Sequence, residues 1–71
     1  MKNEIKNRIK ELRVKKGLTQ KQLAQLVNKF VTGLASWEQG LSEPSVNDIR
    51  ALCEIFEVSA DYLLGLTDSD D

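Results

Sequence analysis

The chain has 71 residues, of which 41% are hydrophobic and 30% charged, and its formal net charge is −1. A chain of this length forms one small domain with one hydrophobic core, and the composition is typical of a soluble globular protein. No apolar run is long enough to span a membrane and no secretory leader is recognisable, so we expect a cytoplasmic protein without a membrane partner.

The residue types that commonly support catalysis or bind metals are scarce. The sequence has no histidine and one cysteine, Cys53, which we expect to be a small core residue. A Ser-His or Cys-His nucleophile, a histidine metal site and an internal disulfide are therefore excluded, and no glycine-rich phosphate loop is present. We expect that the protein is not an enzyme, has no metal or cofactor and binds no small-molecule ligand.

The basic and acidic residues are divided between the two parts of the chain. Residues 1–29 hold nine of the ten basic residues against two acidic ones, a charge of +7, and the remainder carries −8. A small domain with one basic end can orient that end toward a polyanion. The alternative is that these charges only solvate helix surfaces.

The sequence begins with two amphipathic helices. Apolar residues at i, i+4 and i+7 predict a helix over residues 4–16, which Gly17 ends. Thr19 and Gln22 have the spacing of a capping box, in which each side chain accepts a hydrogen bond from the other residue's backbone N–H, so a second helix begins there. Asn28 tolerates a left-handed backbone and predicts a sharp turn. The residues expected to face the core are Ile5, Ile9, Leu12, Leu23, Ala24 and Val27.

Two further helices are predicted after this turn. A short third helix carries Leu34 and Trp37 on its buried side and ends at Gly40. Ser45 and Asp48 repeat the capping box and open a fourth helix. The apolar stripe of that helix is formed by Val46, Ile49, Cys53 and Phe56, flanked by Leu52 and Ile55.

The C-terminal residues predict a fifth, short helix. Ser59 opens it and Gly65 ends it. Its apolar residues are Tyr62, Leu63 and Leu64. We therefore predict a single domain over residues 1–66, followed by an acidic flexible tail over residues 67–71.

Several segments form a recognisable pattern: the run NRIKELRVKKGLTQKQLAQLV, then SWEQG, EPS and VSADYLLG. They lie within roughly residues 6–65 and resemble the Cro/repressor-type helix-turn-helix family of phage and bacterial transcription regulators, the XRE-like type. The resemblance implies an all-α fold, a compact five-helix domain of the lambda-repressor-like DNA-binding type. It also implies a sequence-specific, double-stranded-DNA-binding transcription regulator, in particular a repressor that binds a palindromic operator as a homodimer.

The resemblance assigns roles to individual residues. In the family, the helix opened by the LTQ motif crosses the DNA backbone and the next helix enters the major groove. The residues expected to contact the DNA backbone are Lys10, Gln20, Lys21, Lys29 and Ser42. Those expected to read bases are Val31, Thr32, Gly33 and Ser36. An ion pair joining the first and third helices is expected between Arg13 and Glu38. The expected dimer interface, whose residues could instead close the core, consists of Tyr62, Leu63, Leu64 and Leu66.

The turn before the recognition helix departs from the family pattern. The family usually has Gly-Val-Ser there, whereas this chain has Lys29 and Phe30, and Gly33 weakens the helix that follows. In one interpretation the turn is shifted by a residue, so that Phe30 fills the core and Thr32 caps a shortened helix. In the other the register is regular and presents Phe30 and Val31 to the DNA groove, where apolar side chains contact thymine methyl groups.

Two other functions are compatible with the sequence. A protein-interaction module on the same scaffold would use Phe30 and Val31 as an apolar contact patch in place of base readout. A degenerate family member would fold but read no operator. The loop after the third helix also departs from the family, because it has Leu41, Ser42 and Glu43 where a Lys or Arg commonly holds phosphate. We therefore expect a shallow salt dependence of DNA binding.

Overall fold

Helices form all the regular structure in the computed structural model, which describes residues 4–68. In chain order they are α1 (Glu4–Lys15), α2 (Gln20–Leu26), α3 (Val31–Gln39), α4 (Val46–Phe56) and α5 (Ala60–Leu63). No strand occurs between residues 4 and 68. The all-α, five-helix fold predicted from the sequence is confirmed.

Capping boxes determine where α2 and α4 begin. Thr19 Oγ1 accepts a hydrogen bond from the backbone N–H of Gln22 at 3.0 Å, and Gln22 Oε1 accepts from the N–H of Thr19 at 2.8 Å. Ser45 Oγ and Asp48 Oδ2 make the equivalent pair of bonds at 3.2 and 3.0 Å. Because each box joins residues only three apart, the sequence alone predicts both helix starts correctly.

All five helices contribute to one hydrophobic core, and α3 packs mainly against α2 and α1. The buried apolar residues are Ile5, Ile9, Leu12, Leu23, Ala24, Val27, Leu34, Trp37, Leu52, Phe56 and Leu63. One side of α3 is therefore covered by neighbouring helices, and its other side is available for contacts outside the domain. No helix between residues 4 and 68 is long and apolar enough to cross a lipid bilayer.

The buried face of α4 differs from the predicted stripe. Val46, expected within it, is 69% exposed, whereas Leu52, expected at its flank, is completely buried. Val46 is the first residue of α4 and lies on the exposed side of the helix, whereas Pro44 before it and Asp48 after it are buried. Cys53 is half-buried against the core.

Candidate nucleic-acid interface

A left-handed turn separates α2 from α3. Asn28 has a φ of 59°, as its tolerance of that conformation predicted. The N–H of Asn28 donates to the carbonyl of Gln25 at 3.2 Å, and the N–H of Lys29 donates to the carbonyl of Ala24 at 2.8 Å. These bonds form a Schellman motif, which satisfies two carbonyl groups in the last turn of α2 and completes the turn by residue 29.

Helix α3, the expected recognition helix, begins in the regular register. Phe30 is its N-cap, with an extended backbone and no side-chain capping bond, and the helix starts at Val31. Phe30 is 85% exposed, so the shifted register with Phe30 in the core and Thr32 as the cap is wrong. The turn is already complete at Lys29, which places Phe30 outside the core that Val27 and its neighbours fill.

The outward side of α3 carries the positions expected to read bases. Val31 is 41% exposed and Thr32 is exposed, while Gly33 and Ser36 are half-buried. The buried side carries Leu34 and Trp37, as their spacing predicted. Both polar and apolar residues therefore face outward at the start of α3, and none of their side chains carries a charge.

A hydrogen-bonded network joins α1, α2 and α3. Arg13 donates to Glu38 from Nε to Oε2 at 2.6 Å and from Nη2 to Oε1 at 3.1 Å, and its Nη1 donates to the carbonyl of Leu18 at 2.9 Å. Gln20 Nε2 donates to Oε1 of Glu38 at 3.0 Å. The side chains of Arg13 and Glu38 are only 12% and 4% exposed. The network therefore links the start of α2 to the last turn of α3 beneath the surface.

Lys29, expected at the DNA backbone, forms an ion pair with the first turn of α4. Its Nζ lies 3.3 Å from Oδ1 of Asp48, and the two side chains are 42% and 12% exposed. Burial raises the pKa of Asp48, but hydrogen bonds with Ser45 and the interaction with Lys29 outweigh it and leave the pKa below its usual value. The ammonium group has three donors, so it can also bind a second acceptor.

The other residues expected at the DNA backbone have different surroundings. Lys10 and Lys21 are exposed on α1 and α2. Ser42 is exposed, and its Oγ lies 2.8 Å from Oγ of Ser36, so one of these hydroxyl groups donates to the other. Because only one hydroxyl hydrogen is used between them, the serine pair keeps one O–H donor for another acceptor.

Arg8, for which the sequence predicted no individual role, attaches the C-terminal segment to α1. Arg8 is 9% exposed, and its guanidinium carbon lies 3.9 Å from the ring centroid of Tyr62. Its Nη1 donates to the carbonyl of Tyr62 at 3.1 Å, and its Nη2 donates to Asp68 at 2.9 Å. Its spacing, three residues after Ile5 and four before Leu12, would have identified it as part of the buried face of α1.

The expected dimer surface is only partly exposed. Leu63 is completely buried, so its side chain belongs to the core and does not reach a second subunit. Leu66 is 74% and Leu64 39% exposed, whereas Tyr62 is half-buried beneath Arg8. The predicted flexible tail begins within the structure, where Asp68 is held by Arg8, and its residues 69–71 lie outside the described part of the chain.

A model of the helix-turn-helix family matches residues 9–63, which include most of α1 and all of α2 to α5. The chain therefore belongs to the helix-turn-helix family, as the sequence resemblance predicted. The P22 c2 repressor protein, crystallised in complex with the synthetic operator 9T in the presence of Tl+, has a similar structure. The TM-score is 0.82 at 28% identity, and the similarity covers 89% of this chain and 96% of that chain.

Curated relatives of the chain are longer proteins. The HTH-type transcriptional regulator ImmR of Bacillus subtilis is 38% identical over 58 residues, which are 82% of this chain and 46% of ImmR. The HTH-type transcriptional activator BcrR of Enterococcus faecalis is 33% identical over 61 residues, which are 86% of this chain and 30% of BcrR. The chain thus spans less than half the length of these two relatives.

Proposed function

We propose that the chain is a sequence-specific, double-stranded-DNA-binding transcription regulator whose α3 enters the major groove. The observation that carries the proposal is the exposure of residues 30–32 at the start of a helix whose other side is buried. A reading helix must present side chains outside the core, and its N-terminal residues contact the base edges. The operator complex of the P22 c2 repressor and the names of ImmR and BcrR support this function.

Base readout in this proposal is largely apolar. Phe30 and Val31 contact thymine methyl groups, and the hydroxyl groups of Thr32 and Ser36 bond to base edges. Gly33 lets the helix approach the bases closely. None of these residues offers the two parallel hydrogen bonds by which Arg recognises guanine or Gln recognises adenine. Discrimination at a single base pair is therefore modest, and part of the specificity comes from DNA shape.

Phosphate contacts in this proposal come from α1, from the start of α2 and from the loops on either side of α3. They come from Lys10, Gln20, Lys21, Lys29 and Ser42. The side chains of Gln20 and Ser42 are neutral, so only the three lysines release counterions from the DNA. Each neutralised phosphate contributes about −0.9 to the slope of log affinity against log salt concentration, which limits that slope to about −2.7 for one subunit.

The proposed regulator is a repressor of phage or prophage type that acts in the cytoplasm as a homodimer on a two-fold symmetric operator. A dimer brings two reading helices to successive major grooves about one helical turn apart. The exposed side chains of Leu64 and Leu66, beside Tyr62, are the apolar surface through which two copies associate.

Selection of duplexes from a random pool tests the proposal. The enriched duplex is retested at two salt concentrations beside a Gln20→Ala, Lys21→Ala double variant. We expect enrichment of a two-fold symmetric site whose binding weakens with added salt and with the double variant. A folded protein that enriches no duplex contradicts the proposal. Sedimentation of the wild type and of Leu66→Ser on the selected duplex tests the dimer separately.

The exposure of Phe30 also favours a second candidate, a protein-interaction module. An aromatic side chain that is 85% exposed beside the 41% exposed Val31 is an apolar patch suited to a protein surface. Association of that kind is insensitive to salt, whereas duplex binding weakens with salt. Salt-insensitive association that Phe30→Ser abolishes, in a protein that selects no duplex, would favour this candidate.

A further inference from the structure

We propose that Glu38 is a positioning residue that holds the carboxamide of Gln20 ready to donate to a DNA phosphate. The inference rests on the proposed DNA-binding function, and it gives the Arg13–Glu38 ion pair a role beyond joining two helices. The observation behind it is the 3.0 Å hydrogen bond from Gln20 Nε2 to Oε1 of Glu38.

The carboxylate of Glu38 determines which end of the Gln20 carboxamide faces it. A carboxylate only accepts hydrogen bonds, so the amide nitrogen of Gln20 must face Glu38 and the amide oxygen must point away. The nitrogen carries two N–H groups, and the bond to Oε1 uses one of them. A phosphate oxygen also only accepts, and the second N–H of Gln20 is the donor that remains for it.

Glu38 is itself held rigidly. Its side chain is 4% exposed, and Arg13 donates to both of its oxygens. Arg13 also donates to the carbonyl of Leu18, directly before the residue that caps α2. Gln20 is the first residue of α2 and would otherwise exchange among several rotamers. A side chain ordered before binding loses less conformational entropy when the contact forms, so this anchor increases affinity without touching the DNA.

The same carboxylate connects the two helices of the motif. Glu38 lies in the last turn of α3, and Gln20 lies at the start of α2. Gln20, the proposed phosphate donor on α2, is therefore held at a fixed position relative to α3, the proposed reading helix. This makes Glu38 a determinant of register on the duplex, since phosphate contacts position a protein and base contacts specify its site.

A double-mutant cycle on duplex affinity tests the proposal with the wild type, Gln20→Ala, Glu38→Gln and the double variant. We expect each single variant to bind about five- to tenfold more weakly, the effect of one hydrogen bond, and the double variant to lie within about twofold of the weaker single one. The slope of log affinity against log salt concentration should be the same in all four proteins, because the Gln20 contact is neutral. Additive losses of about 25- to 100-fold in the double variant would overturn the proposal.

A second background keeps the test valid if Glu38→Gln unfolds. Replacing the pair with apolar residues, Arg13→Met with Glu38→Leu, removes the anchor without leaving a buried charge. In this background Gln20→Ala should have less than about a twofold effect on affinity. Asp68→Asn is the matched control, because it removes the carboxylate of an ion pair at the C-terminal end and should leave affinity unchanged.

Nuclear magnetic resonance of the free protein adds a readout that needs no DNA. The side-chain NH₂ group of Gln20 should be ordered in the wild type and mobile in Glu38→Gln or in the apolar background. Equal mobility in all three proteins would overturn the proposed anchor. Absence of salt-dependent duplex binding by the wild type would instead reject the proposed DNA-binding function, so the two failures are distinguishable.

Discussion

The Nζ atom of Lys29 lies 3.3 Å from Oδ1 of Asp48, which connects the turn before α3 to the first turn of α4. Asp48 also accepts from the backbone N–H of Ser45 and so completes the capping box of α4. One carboxylate therefore serves both the start of α4 and the approach to α3. Loss of this carboxylate should destabilise both the start of α4 and the turn before α3.

The first prediction concerns the pH dependence of stability. Asp48→Asn should lower the free energy of unfolding at neutral pH by about 1 to 2 kcal/mol, because a capping carboxylate and the partner of Lys29 are lost. The folded pKa of Asp48 lies below its ordinary value of 3.8, so this contribution is complete above that value and disappears as the pH falls through the folded pKa. Urea denaturation of the wild type and of Asp48→Asn, at pH about 7 and at pH about 2, measures this contribution. A difference between the two proteins that persists at the lower pH would contradict the explanation.

The second prediction compares two lysines in duplex binding. Lys21 is exposed, whereas the charge of Lys29 is partly neutralised by Asp48. Lys21→Ala should therefore reduce the slope of log affinity against log salt by about 0.9, and Lys29→Ala should reduce it by less. Titrations of one selected duplex at several salt concentrations measure both slopes. Equal reductions would show that the pair with Asp48 opens on the DNA.

The third prediction concerns the ion pair between Arg13 and Glu38. Glu38→Ala leaves the guanidinium of Arg13 buried without its carboxylate, which costs about 3 to 5 kcal/mol in comparable sites. A domain of this size has little stability to lose, so this variant should be largely unfolded at room temperature. Arg13→Met with Glu38→Leu should stay folded, because a well-packed apolar pair often matches a buried ion pair. Circular dichroism and thermal melts compare the variants, and a stable Glu38→Ala protein would contradict the prediction.

The fourth prediction separates stability from binding at the start of α3. Phe30 is an N-cap without a capping bond, so Phe30→Ser should raise the free energy of unfolding by about 1 kcal/mol. Little packing is lost, since Phe30 is 85% exposed. The same substitution should weaken duplex binding if Phe30 contacts thymine methyl groups. Binding that stays unchanged in a stabilised variant would remove Phe30 from the proposed reading surface.

The fifth prediction concerns Gly33 inside α3, the proposed reading helix. A Cβ atom added there would meet no heavy atom within 4 Å outside its own helix and chain neighbours. Gly33→Ala should therefore stabilise the protein by up to about 1 kcal/mol through helix propensity. Thermal melts measure the gain. Weaker duplex binding by this stabilised variant would support the close approach to bases proposed for Gly33.

Several local features follow from the sequence by itself, because each depends on residues only a few positions apart. The capping boxes of Thr19 and Ser45 and the left-handed turn at Asn28 are of this kind. The spacing of Leu34 and Trp37 likewise identified the buried side of α3. Together with the family motif, these features were sufficient to predict the helices and the fold.

Only the tertiary structure decided which side chains from distant parts of the chain become neighbours. The sequence left the position of Phe30 open between the core and the surface, and it did not indicate that Lys29 reaches Asp48. It did not separate Leu63, which fills the core, from the exposed Leu66 nearby. Local spacing reveals the preferred side of a helix, but burial and ion pairing depend on where the other helices pack against it.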